Sequence, residues 1–130
     1  MMTLWEILLN TSSYFDNYSD LNQKLLDECR KICKNNGIYL DNQHDDAVFK
    51  KYGTPMSVEI DKLLIGQKHV KSDVLQKKKM DMDLKKYKPV HVFKYKNSLI
   101  LHDGHHRTVR LRVANKRRVN SYILNLDKYD

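Results

Sequence analysis

The chain has 130 residues, of which 41% are hydrophobic, and its 24 basic and 16 acidic side chains give a formal net charge of +8. This length suits one domain with an apolar core and is short for two, and the hydrophobic fraction excludes a wholly disordered protein. Four glycines and two prolines exclude a collagen-like chain, and two cysteines are too few for a disulfide scaffold.

The first 54 residues are predicted to form a helical segment packed on the rest of the chain. A capping-box spacing predicts a short helix at about 3–10. Apolar residues recur at three- and four-residue steps over roughly 20–35, which indicates a second helix that ends at Gly37. One or two further helical turns are predicted at 47–52.

Residues 55–130 are predicted to form a β-α module. A lysine-rich stretch at 72–87 has apolar spacing typical of one or two helical segments. A helix is predicted after a glycine-containing turn at 103–108, with Asn115 at its end. The predicted strands are 57–60, 90–95, 98–102 and 119–126. The expected fold is therefore α+β, a small mixed sheet with packed helices in a single compact domain.

Charge is divided unevenly between the two parts. Residues 1–47 hold four basic and eight acidic side chains, a net charge of −4, whereas residues 48–130 hold twenty basic and eight acidic ones, a net charge of +12. So basic a region is typical of proteins that bind polyanions such as nucleic acid or nucleotides. A lysine-rich surface that only improves solubility explains the composition equally well.

No membrane segment or export signal is predicted. The sequence contains no apolar run of about 18 residues, the length that a transmembrane helix needs. The first residues, Met1 to Glu6, lack the basic start of a signal peptide. We therefore expect a cytoplasmic protein that makes no use of a membrane.

The densest polar cluster lies where an apolar strand leads into a helix; it is Asp103-Gly104-His105-His106-Arg107-Thr108. A helix N-terminus exposes unpaired N–H groups and the positive end of the helix dipole. Glycine permits close backbone approach, arginine offers a planar cationic fork, and histidine exchanges protons near neutral pH. These residues predict a phosphate site, while Asp103 as a simple helix cap is the alternative.

This stretch, together with Leu101-His102 before it and Ala114-Asn115 and a Val119 strand after it, resembles the signature of the ParB/sulfiredoxin superfamily. Members share a strand, a turn of the Gly-x-His-Arg or Gly-x-Arg-Arg type, a helix and a closing strand. The upstream pieces that match in order are Ile60-Asp61-Lys62-Leu63, Ile65-Gly66-Gln67 and Lys88-Pro89-Val90-His91-Val92. The resemblance covers roughly residues 57–126.

The resemblance implies a nucleotide- or phosphate-binding α+β domain whose phosphates lie against the turn and the helix start. The contact residues implied are Gly104, His105, His106, Arg107, Thr108, Gln67 and Pro89. In an enzyme of this type, a phosphohydrolase or phosphotransferase, Asp103 would be a base or a Mg²⁺ ligand, and His105 or His106 the acid–base group. The implied cofactor is Mg²⁺ with a nucleoside triphosphate, ATP or CTP.

Activities in the superfamily range from CTP hydrolysis and a free-serine kinase to nucleases and sulfinic-acid reduction, and a fold does not choose among them. Sulfiredoxins have a cysteine where this chain has His105, so sulfinic-acid reduction is not expected. Two alternatives to nucleotide binding stay open. One is a nucleic-acid-binding protein or nuclease. The other is a non-enzymatic regulator, for example of a phage or mobile element, that binds a host protein through the N-terminal helices.

Nucleic-acid binding would use basic side chains of the C-terminal module, which contact phosphates without distinguishing the bases. The side chains expected at such a surface are Lys77, Lys78, Lys79, Arg110, Lys116, Arg117 and Arg118. The alternative is that these side chains only face solvent.

Residue types alone suggest two possible metal or redox sites. One is a metal site drawn from His102, Asp103, His105 and His106, although adjacent histidines on a helix point in different directions. The other is the pair Cys29 and Cys33, one helical turn apart, which we expect to be two buried small apolar residues.

Overall fold

The computed structural model describes residues 20–66 and 88–129. In these ranges, three α-helices, two short 3-10 helices and a five-stranded mixed sheet form the α+β fold that the sequence predicts. The helices are α1 (Asp20–Asn35), α2 (Asp45–Tyr52) and α3 (His105–Val113). The strands are β1 (Thr54–Glu59), β2 (Leu63–Leu64), β3 (Val90–Tyr95), β4 (Ser98–Asp103) and β5 (Arg118–Asn125). The 3-10 helices are Ile60–Lys62 and Asp127–Tyr129. The helices predicted at 3–10 and 72–87 lie outside the described residues.

The sheet has the strand order β1-β5-β3-β4-β2 and combines both strand directions. β1 pairs with β5 and β3 pairs with β4 in antiparallel fashion, while β5 runs parallel to β3 and β2 parallel to β4. β3 is therefore the central strand, and all but one of its residues are buried. A strand covered on both faces has this nearly continuous buried pattern.

Helices cover both faces of the sheet and form two separate apolar cores. On one face, Val109 and Leu111 of α3 pack in a core with Val92 of β3. On the other face, Phe49 of α2 packs in a core with Phe93 of β3 and with side chains of α1. Because successive strand residues point to opposite faces, Val92 and Phe93 belong to different cores.

The two cysteines belong to the core under α1, as predicted. Cys29 and Cys33 are both free and 0% exposed. Burial raises the pKa of the Cys29 thiol to about 12 and that of Cys33 to about 11. Both are therefore protonated and unreactive at neutral pH.

Glycine and asparagine end the elements at the predicted places. α1 is followed by Gly37 with φ 76°, and α3 is followed by Asn115 with φ 63°. The β3–β4 hairpin turns at Lys96 and Asn97, which both have positive φ. Two such residues in succession form the tight turn whose twist matches that of the flanking strands.

The first strand differs from its predicted extent. β1 begins at Thr54 rather than at residue 57, and Ile60 opens a 3-10 helix instead of ending the strand. Pro55 therefore lies inside a strand. Its missing N–H is tolerated because β1 is at an edge of the sheet.

Phe49 offers a test of how α2 is held on the sheet. Its buried ring stacks on His91 and on His102, with centroid distances of 4.5 and 5.4 Å. Phe49→Ala should lower the free energy of unfolding by about 3–5 kcal/mol in urea denaturation, because it leaves a cavity between α2 and the sheet. Tyr52→Ala, at the partly exposed end of the same helix, should cost only about 1 kcal/mol. Equal losses for the two variants would contradict this account.

Candidate functional site

The start of α3 is held directly against the start of β3. Gly104 joins β4 to α3 with φ 108°, and a Cβ at this position would lie 2.4 Å from Val90 Cγ1. Both the left-handed backbone and the close contact therefore demand glycine. The sequence prediction of a glycine turn between strand and helix is confirmed, and the turn packs tightly on Val90.

The first N–H groups of α3 donate no hydrogen bond to a side chain of the cap residue. The cap residue is Gly104, so the alternative role of Asp103 as helix cap is wrong. The first helical hydrogen bond runs from Thr108 N–H to Gly104 O at 2.9 Å. The N–H groups of His105, His106 and Arg107 precede that bond and form the positive end of the helix dipole.

Arg107 holds the chain at the beginning of β3. Its Nη1 donates to Lys88 O at 2.8 Å and to Pro89 O at 2.9 Å, and its Nη2 lies 3.8 Å from Asp103 Oδ2. The structure thus brings together Pro89, Arg107 and Asp103 around the turn. Because Nη1 is committed to backbone carbonyls, only the Nη2 edge of the guanidinium is left for an anion.

The side chains of the turn differ sharply in their exposure. His105 is 7% exposed, and this burial lowers its pKa to about 4, so the imidazole is neutral at pH 7. Thr108 is buried, and its hydroxyl donates to Gly104 O. His106 is partly exposed, and the Asp103 side chain is 58% exposed. Asp103 and His106 are therefore the side chains of the turn that a ligand in solvent reaches first.

Two buried histidines beside the turn lie on the face of the sheet that α1 and α2 cover. His91 of β3 and His102 of β4 both pack with their rings nearly parallel to that of Phe49. Sequence reasoning considered His102 only as a metal ligand and missed His91. The sequence does show one histidine inside each of two otherwise apolar strands. That pattern does not identify the residues with which the histidines pair.

His102 is the centre of a chain of hydrogen bonds. Arg30 Nε–H donates to His102 Nδ1 at 3.3 Å, so His102 Nε2 carries the ring proton and donates to Asp45 Oδ2 at 2.9 Å. Burial is the main cause that lowers the pKa of His102, which keeps the ring neutral. The other oxygen of Asp45 accepts the N–H groups of Asp41 and Asn42 at 2.8 and 3.1 Å.

His91 connects α2 to the turn. Its Nε2 lies 3.1 Å from Asp46 Oδ1, and its Nδ1 lies 3.8 Å from Asp103 Oδ2. The adjacent residues Asp45 and Asp46 therefore reach two different histidines. His91 therefore lies between the carboxylate of Asp46 on α2 and the exposed carboxylate of Asp103.

Of the basic residues expected to bind nucleic acid, those that the structure describes do not surround the turn. Lys116 and Arg117 are exposed beyond the C-terminal end of α3. That end is about 14 Å from the turn, since nine residues each rise 1.5 Å. Arg118 donates to the hydroxyl and carbonyl of Ser57, and Arg110 is half-buried. Nucleic-acid binding stays a prediction, as do the roles of Gln67, Lys77, Lys78 and Lys79, which lie outside the described residues.

The described residues contain no group of three or more His, Cys, Asp or Glu side chains placed to hold a metal ion. His102 is committed to Asp45, which excludes the metal site drawn from His102, Asp103, His105 and His106. Asp103 alone is still suited to one kind of metal binding, in which a substrate supplies the other ligands. Mg²⁺ is commonly held by one or two carboxylates together with the phosphates of a substrate.

Comparison of the chain with protein-family models, with curated proteins and with solved structures found no match. The ParB/sulfiredoxin resemblance therefore stays a prediction that rests on the residues of the turn and on the order of the strands. Of the helices that the structure describes, none combines the length and apolar character that crossing a membrane requires.

Gly104→Ala tests the fit of the turn against β3. It should lower the free energy of unfolding by about 2–5 kcal/mol, because left-handed strain adds to a clash with Val90. Gly37→Ala is the matched control: its φ is also positive, but a Cβ there would meet no atom within 4 Å. In that variant only the left-handed strain lowers the free energy of unfolding, by about 1–2 kcal/mol. Urea denaturation of both variants measures the difference, and equal losses would contradict the close contact.

The buried His105 should make the protein less stable in mild acid. Because burial lowers the pKa of His105 from 6.5 to about 4, the unfolded chain takes up the proton first. The stability that this residue contributes is complete above about pH 6.5 and is lost as the pH falls towards 4, on the order of 2–3 kcal/mol. Urea denaturation at about pH 7 and about pH 4.5 should show a smaller loss for His105→Gln than for the original chain. His44→Gln removes an exposed histidine whose pKa Asp41 raises, and should therefore show at least the full loss.

Proposed function

We propose that this protein binds a phosphate group at the N-terminus of α3, carried by a Mg²⁺-bound nucleoside triphosphate such as ATP or CTP. The observation that carries the proposal is the glycine cap, which has no side chain that competes with a ligand for the first N–H groups of the helix. Phosphates bind at such helix starts because both the unpaired N–H groups and the helix dipole favour an anion. The resemblance of residues 103–108 to the ParB/sulfiredoxin motif supports the same ligand.

The side chains of the turn have different roles in this proposal. The N–H groups of His105, His106 and Arg107 hold the phosphate, and the partly exposed His106 ring contacts it from the solvent side. Arg107 acts mainly through the backbone, because it holds the carbonyls of Lys88 and Pro89 in place. Thr108 supports the helix start by its hydrogen bond to the cap carbonyl.

Asp103 makes the proposed binding dependent on Mg²⁺. Its exposed carboxylate flanks the same helix start and repels a bare phosphate. A divalent cation held by Asp103 and by phosphate oxygens replaces that repulsion with attraction. When bound, Mg²⁺ supplies neutralisation of charge on the phosphate oxygens.

A phosphohydrolase or phosphotransferase reaction would use the groups that solvent reaches. Asp103 and His106 are exposed enough to exchange a proton with water or with an acceptor hydroxyl, whereas His105 is buried and neutral. We therefore assign the acid–base role to His106, keep Asp103 as the Mg²⁺ ligand, and keep His105 as a support for the helix start. Release of inorganic phosphate from ATP or CTP measures this reaction separately from binding.

Thermal melting with the four ribonucleoside triphosphates, with and without Mg²⁺, tests the binding. At least one nucleotide should raise the melting temperature only when Mg²⁺ is present. Asp103→Asn and His106→Gln should each weaken binding about tenfold or more, the usual effect of losing a charge-assisted contact. His44→Gln, an exposed histidine outside the turn, is the matched control and should bind normally. A flat panel, or Mg²⁺-independent binding that survives Asp103→Asn, would contradict the proposal.

Arg107→Ala is unsuitable as the deciding variant. It would leave the carbonyls of Lys88 and Pro89 without their hydrogen-bond donor, so a loss of binding would not separate ligand contact from a disturbed backbone. Asp103 is the better choice because its side chain is more exposed than that of Arg107, 58% against 24%.

A further inference from the structure

A cavity of about 570 Å³ lies on the face of the sheet that α1 covers, and none of its lining residues belongs to the 103–108 turn. Pockets for small molecules usually have volumes of about 300–1000 Å³. Its walls come from α1, from the loop after α1 and from β4. The lining residues used below are Arg30, Lys34, Ile38, Tyr39, Leu40 and His102.

The charged side chains of the lining are cationic. Arg30 and Lys34, one helical turn apart on α1, both line the cavity, and none of the described lining residues is a carboxylate. Arg30 is oriented by its Nε hydrogen bond to His102, and its Nη1 lies 3.7 Å from Asp27 Oδ1. An arginine held through Nε presents its terminal nitrogens in a fixed direction, which favours a carboxylate or phosphate oxygen pair.

The wall contributed by β4 is polar but uncharged. His102 is buried, with Nδ1 accepting from Arg30 and Nε2 donating to Asp45. Both ring nitrogens are therefore occupied by the protein itself. The ring orients Arg30 and carries no charge. The positive charge of the cavity therefore comes from Arg30 and Lys34.

The remaining wall is apolar and aromatic. Ile38 is buried, Leu40 is half-buried, and Tyr39 is 70% exposed although it is a large aromatic residue. An exposed tyrosine at the rim of a cavity offers a flat surface to a planar ligand. The lining thus combines cations from the helix with an apolar, aromatic surface from the loop.

We propose that this cavity binds a small planar acid, an aromatic ring that bears a carboxylate or a phosphate, with the anionic group at Arg30 and Lys34 and the ring against Tyr39. The ligand differs from the nucleotide proposed for α3, and the two sites share no residue. The site is built by residues 30–42, a segment outside the family resemblance, together with His102.

Binding of benzoate and of phenyl phosphate, measured by isothermal titration calorimetry without Mg²⁺, tests the proposal. At least one of the two acids should bind with a Kd of about 1 mM or tighter. Benzamide, which lacks the charge, and acetate or inorganic phosphate, which lack the ring, should bind about tenfold more weakly. The tighter of the two aromatic acids identifies the anionic group. No measurable binding of either acid would overturn the proposal.

Two variants and a matched control assign the binding to this cavity. Lys34→Gln should weaken the binding of the aromatic acid about tenfold, since it removes one charged contact. Lys31→Gln removes the same charge from an exposed position of α1 that does not line the cavity, and should bind normally. Tyr39→Ala should reduce the affinity for benzoate towards that for acetate. An equal loss in Lys31→Gln and Lys34→Gln, or normal binding by Lys34→Gln, would overturn the proposal.

Discussion

The buried carboxylate of Asp45 is the group on which the arrangement of the other parts depends. It is 3% exposed, and it accepts two N–H groups from the loop before α2 and one from His102 of β4. A charge so deeply buried is tolerated only when its oxygens are hydrogen-bonded, so the loop, α2 and β4 must adopt one relative position. The N-terminal helical layer is thereby fixed on the sheet close to the strand end that leads into α3.

Both proposed sites include a residue at the end of β4, the strand whose position Asp45 fixes. His102 and Asp103 are neighbours on β4, yet the first lies in the wall of the cavity and the second flanks the start of α3. α2 supports His102 through the hydrogen bond to Asp45, and Asp46 lies 3.1 Å from His91 Nε2, whose Nδ1 lies 3.8 Å from Asp103 Oδ2. A helical layer whose sequence lies outside the family resemblance therefore contributes to the shape and charge of the region where both ligands are expected.

The start of α3 shows how packing changes the meaning of a motif. From residue types, Arg107 and Thr108 were expected to contact phosphate directly. In the structure Arg107 Nη1 binds two backbone carbonyls and the Thr108 hydroxyl binds the cap carbonyl, so both side chains support the helix start. What remains for an anion is the row of N–H groups and Arg107 Nη2, with Asp103 and His106 beside them. The hydrogen bonds of Arg107 and Thr108 to backbone carbonyls, which residue types do not reveal, separate the two kinds of role.

Local elements were predictable because their causes are local. The stripe of α1 depends on residues three or four apart, the hairpin on two adjacent positive φ values at Lys96 and Asn97, and the α3 turn on Gly104. The pairing of Asp45 with His102 joins residues 57 positions apart, and that of Arg30 with His102 joins residues 72 apart. No periodicity encodes such contacts, because they arise from how the helices pack on the sheet. The motif at 103–108 could thus be found in the sequence, whereas the buried histidine network and the cationic cavity exist only through tertiary packing.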